Sequence, residues 1–140
     1  MAFTGNFACN TFKTGLMKGT FDFDVDTYYI ALYTNAATFD YSTTAYTTTG
    51  EVVASGYTAG GEPLTVTVTP TTGTTGTVAY ISFSNVSWTA AFTARGALIY
   101  KPGDNGAICV LDFGSDKTST TTFTVQFPAA TNTSAIIRIA

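Results

Sequence analysis

Thr93–Phe113 reads TARGALIYKPGDNGAICVLDF. Two apolar runs, Ala97–Tyr100 and Ala107–Leu111, flank Lys101-Pro-Gly-Asp-Asn-Gly106. Pro presets φ for a turn, and Gly and Asn tolerate positive φ, so the middle is a hairpin loop. Branched and aromatic residues suit the pleated, half-buried surface on either side. The segment predicts strands over Thr93–Lys101 and Ala107–Phe113, paired antiparallel.

The same signature extends outward in both directions. Upstream, Thr27–Tyr33 (TYYIALY), Glu51–Ala54, Leu64–Thr69 (LTVTVT), Gly76–Ser84 (GTVAYISFS) and Val86–Ala91 read as strands. Downstream, Thr120–Phe127 (TTTFTVQF) and Ser134–Ile139 (SAIIRI) follow. Pro70–Gly73, Thr75-Gly76, Gly114–Lys117 and Pro128–Asn132 are the expected turns. Short strands at this spacing predict an all-β domain, a sandwich or jelly roll. Asn35–Gly61 is the least regular part and reads as a long excursion from the sheets.

Only the first twenty residues break the pattern. Phe12 and Leu16 stand one helical turn apart, Asn10 precedes them and Gly19 follows. A short amphipathic helix over residues 9–18 is expected, with Asn10 as cap and Gly19 as stop. The organisation is then an N-terminal arm and helix over 1–20 and a β-sandwich over 21–140.

Composition narrows the chemistry. The chain has 140 residues, 45% hydrophobic and 11% charged, with 6 Lys and Arg, 9 Asp and Glu and no His. Ordinary domains are about one quarter charged. Here 30 Thr take over the polar surface. Six scattered cations make no phosphate-neutralising stripe, so no nucleic-acid partner is expected. Without His there is no Ser-His or Cys-His nucleophile and no His-ligated metal. No apolar run approaches the length of a membrane span, so no membrane partner is expected. The opening MAFTGNFACN lacks a basic region followed by an apolar stretch, so no signal peptide is expected. Cys9 and Cys109 read as buried reduced thiols, with a disulfide between them the alternative.

Few residues stand out as candidate sites. Asp22, Asp24 and Asp26 resemble the start of a calcium loop. The Gly and Glu that such a loop needs at its sixth and twelfth positions are replaced by Thr27 and Tyr33. A solvated acidic face is the plainer reading. Arg95, Asp112 and Arg138 lie inside apolar strands, where an ion needs a partner. Asp112 is expected to pair with Arg95 or Arg138, across neighbouring strands or at a subunit contact, or both arginines are solvated on an outer face. Gly56, Gly60 and Gly61 form no phosphate loop. Trp88 reads as core or rim packing, or as a sugar-stacking ring with Tyr41, Tyr46 and Tyr57. No acid sits in a catalytic motif, and neither enzymatic activity nor a cofactor is expected.

TYYIALYTNAAT (27–38), TTAYTTTGEV (43–52), GYTAGGEPLTV (56–66), TARGALIY (93–100) and VLDFGSDKT (110–118), in this order, resemble small virion structural proteins of tailed bacteriophages. The resemblance runs from Phe12 nearly to the C-terminus. It implies a β-sandwich accessory protein located in the virion, made in the host cytoplasm. The expected role is a capsid cement or decoration subunit, partnered by the major capsid protein and by itself as a homodimer or homotrimer. A tail, neck or fibre-associated module contacting host glycan is the alternative. Phe3, Phe7 and Trp88 are the expected docking residues. The arm carrying Phe3 and Phe7 either inserts into a neighbouring subunit or covers the open end of its own sandwich.

Overall fold

The computed structural model describes residues 3–68 and 73–140. In chain order the elements are β1 (Phe7–Ala8), α1 (Asn10–Lys18), β2 (Tyr28–Tyr33), β3 (Glu62–Leu64), β4 (Val66–Val68), β5 (Thr74–Thr75), β6 (Val78–Phe83), β7 (Val86–Trp88), β8 (Thr93–Tyr100), β9 (Ala107–Thr118), β10 (Phe123–Val125) and β11 (Ile137–Ile139). The fold is all-β with one short helix, and every strand pairing is antiparallel.

The β8–β9 hairpin is the centre. It forms the middle of a five-stranded sheet ordered β1-β9-β8-β2-β3. A second layer holds β11-β6-β4, with β5 also on β6, and the ribbon β10-β7. Tyr28, Ile30, Leu32 and Ile99 point from the large sheet into the core against Ile81, Phe83, Trp88 and Phe123 of the second layer. The architecture is sandwich-like.

Alternation fails in β2 and β8 because both faces of the large sheet are covered. Ala31, Tyr33, Leu98 and Tyr100 point the other way into a second cluster with Phe3, Cys9, Ala37 and Phe39. Strands buried on both sides read as continuous apolar runs, which is the pattern of YIALY and GALIY.

Several boundaries differ from the sequence expectation, each for a local reason. The helix begins at Asn10 itself, and extended Cys9 is its N-cap, without a side-chain cap bond. The stop at Gly19 is in place, at φ 74, with its N–H turned back on the last turn. Gly114–Lys117 is not a turn between strands but part of β9. Gly96 pairs with Asp112 and Ala94 with Lys117, so residues 113–116 bulge opposite Arg95 alone. Gly114 takes φ 81 there, and the ladder resumes beyond it. The run expected over Leu64–Thr69 divides at Thr65: β3 joins β2 in the large sheet, whereas β4 joins β6 in the other. Thr69 and the Pro70–Thr72 part of the expected turn lie outside the described residues. Glu51–Ala54 contributes only a bridge from Glu51 to Tyr33. Residues 35–61 otherwise carry no strand, as an excursion should; Ala37, Phe39 and Tyr46 lie over the outer face of the large sheet, whereas Val52 and Tyr57 reach the inner core.

The N-terminal segment is part of the same packing. β1 pairs with β9, Phe7 opposite Val110 and Ala8 opposite Cys109. Phe12 of α1 enters the core edge-on to Phe21 and Phe23, at 5.2 and 6.1 Å between ring centres.

Candidate functional site

Three of the residues singled out from sequence meet at one place. Phe3 is 1% exposed and lies on Gly96, where any Cβ would overlap its ring. The Arg95 guanidinium sits 5.8 Å from the Phe3 ring centre and pairs with Asp112 on the neighbouring strand. The Asp112 N–H donates to Asn6 Oδ1 at 2.6 Å, and the Gly114 N–H donates to Asp112 Oδ1 at 2.8 Å. Arg95 and Asp112 are each 12% exposed at the side chain, so the pair is shielded without being sealed. Burial opposes ionisation of Asp112, but the Gly114 N–H and the Arg95 charge outweigh it and hold its carboxyl below the usual value. The assembly clasps the N-terminal arm to its own sheet. Phe3 therefore fills this chain's core, and Phe7 is half-buried beside Tyr41, 4.8 Å between ring centres.

Arg138 is not part of this pair. It is exposed on β11 and donates to the Thr133 carbonyl at 2.5 Å. Trp88 is 2% exposed, packed near Tyr57 and Phe123, and its Nε1–H has no hydrogen-bond partner among the described residues. It is core, available neither for docking nor for stacking on a sugar in the folded chain. Cys9 and Cys109 are both free and belong to clusters on opposite faces of the large sheet, which keeps them from bonding. Burial pushes the Cys9 thiol up to about 11. Asp22 and Asp24 are tied into their own turn, and Asp26 receives Lys101 Nζ at 2.7 Å. Among the described residues no cluster of His, Cys, Asp or Glu is placed to hold a metal ion.

One polar centre was not legible in the sequence. Glu51 is 7% exposed and has no cation beside it among the described residues. Its carboxylate accepts from Tyr46 Oη at 2.6 Å, Tyr57 Oη at 2.8 Å and the Gly60 N–H at 2.7 Å. Tyr57 Oη in turn accepts the Leu32 N–H at 2.8 Å. Tyr33 and Tyr100 donate to the Thr47 and Gly60 carbonyls, each at 2.7 Å. The network fastens the 35–61 excursion to β2 and β8. Burial, with the Glu51 charge second, pushes the Tyr100 phenol up to about 12. The tyrosines that suggested a sugar platform, Tyr46 and Tyr57, serve here instead. The only sequence signal was a Tyr-rich, irregular stretch containing one acid.

The opposite corner is open. β1 and β11 are outermost strands of their respective sheets, and a groove of about 500 Å³ lies between them. Its apolar walls include Phe7, Phe12 and Leu16 on one side and Ile137 and Ile139 on the other. A second groove of about 400 Å³ continues past α1 toward the Asp22–Asp24 turn and shares Phe12, Leu16, Ile137 and Ile139. Of the large apolar side chains exposed to solvent, Ile139 lines both grooves and Tyr41 stands against Phe7 at the margin of the first. Lys13 Nζ lies 5.7 Å from the Tyr41 ring centre. Apolar side chains gathered at one corner, rather than scattered singly, mark an interaction surface.

No helix among the described residues is long and apolar enough to cross a membrane. No family model, curated protein or solved structure matches the chain.

Proposed function

We propose that this chain is a structural subunit of a tailed-phage virion, a cement or decoration protein that binds the major capsid protein. The observation that supports the reading is the open corner, where two sheet edges and a helix leave an apolar seam uncovered. Unpaired edges and grouped apolar side chains are features of surfaces made for association with other chains. The ion-poor, threonine-rich surface around it fits flat packing against neighbours. A subunit touching two capsomers would add its binding free energy to the stability of the shell.

Copy number tests the reading. Quantitative electrophoresis of purified particles should give the chain at a number comparable with the major capsid protein, and particles lacking it should rupture at lower temperature. A handful of copies per particle would assign it to the tail or neck instead.

A further inference from the structure

We infer that the groove between β1 and β11 receives an extended segment of the capsid partner, added as a strand along β11 and carrying carboxylates at its flank. The inference rests on the functional reading above and names the docking site and its occupant.

The first argument is backbone geometry. Among the described residues β11 pairs with β6 on one side only, and β1 with β9 on one side only. The two free edges border the same groove, so an extended segment laid there can satisfy main-chain groups that neither sheet uses. A strand also places alternate side chains on alternate sides. Half of them would reach the apolar floor made by Phe12, Leu16 and Ile137.

The second argument is charge. The chain carries 9 acids against 6 cations, a net charge of −3. Yet the only charged side chains lining this groove are Lys13 and Arg138, both exposed and neither in an ion pair among the described residues. The neighbouring groove past α1 has acids instead, Asp22 and Asp24. An acidic protein that lines this seam between free edges with cations is complementary to an anionic partner segment. A basic segment would meet two like charges there.

The test uses the full-length chain added back to shells assembled without it, with occupancy counted at fixed concentration. The double variant Lys13→Glu with Arg138→Glu should occupy shells about tenfold less than the wild type, with a weaker salt dependence. Lys13→Arg with Arg138→Lys should bind as the wild type does. Both residues are exposed, and thermal melting of each variant checks that the fold is kept. On the shell, amide exchange at Ile137–Ile139 and Phe7–Ala8 should slow, because a docked strand takes up the free edge. Wild-type occupancy by the charge-reversed variant, with unchanged exchange at β11, overturns the groove and leaves the capsid reading standing. Protection of β11 already present in the free chain, with a dimer in sedimentation, makes a second copy the occupant and overturns the partner. A wild-type chain that fails to bind shells removes the capsid reading and the occupant together.

Discussion

The two faces of the large sheet are covered by different means. The inner face meets a second layer of strands, and its contacts are almost wholly apolar: Ile30, Leu32 and Ile99 against Ile81, Phe83 and Trp88. The outer face is covered by the N-terminal arm and by Ala37, Phe39 and Tyr46 of the irregular 35–61 excursion. A cover without a ladder leaves backbone groups to be satisfied one at a time. That is why the polar fasteners stand on the outer side or at its margin. Glu51 gathers two phenols and an amide, Tyr33 holds Thr47, and Asp112 with Asn6 anchors the arm. Burying apolar area is tolerant of small shifts, whereas a buried carboxylate that loses its donors is not.

The largest effect should come from the inner face. Ile99→Ala is expected to cost about 3 kcal/mol, as buried aliphatic truncations do. It should lower the urea midpoint without changing the slope, because the whole molecule unfolds together. A changed slope would mean that the two faces part company on unfolding.

Glu51→Ala comes next, at about 2–3 kcal/mol, since it strands the Tyr46 and Tyr57 hydroxyls and the Gly60 N–H. Amide exchange should accelerate within 35–61 well before it does in β8 or β9. Glu51→Gln should recover part of the loss, because its carbonyl oxygen still accepts. Uniform acceleration across the sheet would erase the distinction between a packed face and a fastened one.

Asp112→Ala is expected to cost about 1–2 kcal/mol and several degrees of melting temperature, by leaving Arg95 and the Gly114 N–H without their carboxylate. Its acid dependence has a definite sign. The carboxyl is held below its ordinary 3.8 in the folded chain, so its contribution is complete above that value and is lost as pH falls through the lower, folded one. Asp112→Asn should flatten that part of the acid-side stability profile. Asp26, lowered by its hydrogen bond to Lys101, behaves in the same direction and would remain.

The smallest change is Trp88→Phe, within about 1 kcal/mol by urea unfolding. The ring's packing is largely kept, and the removed Nε1–H had no partner to lose. A loss comparable with Ile99→Ala would show that this N–H is satisfied after all.

Much of the fold was readable because it is locally encoded. The Lys101–Gly106 loop, the helix ending at Gly19 and the β runs around them depend on turn chemistry and on a residue's own neighbours in sequence. An ion inside an apolar strand needs a partner, so Asp112 was expected on Arg95 or Arg138 unless both arginines were solvated, and the structure pairs it with Arg95. Arg138 lies on an equally apolar run, but at an exposed sheet edge where water and a carbonyl suffice. Nothing in a single sequence separates the two cases. Phe3 and Phe7 left open whether the arm enters a neighbour or covers its own sandwich, and Gly96 leaves the hollow that Phe3 fills.

From its sequence alone the chain is an all-β, ion-poor domain with a short N-terminal helix, because alternation, turn residues and composition act over a few residues at a time. Only tertiary structure decided that β9 runs on through Gly114, that Leu64 and Val66 part into different sheets, and that Glu51 is the centre of a buried network. It also decided that one corner stays open between β1 and β11. Strand partners, burial and the satisfaction of polar groups are set by residues far apart along the chain. Their positions are determined only once the whole core has closed.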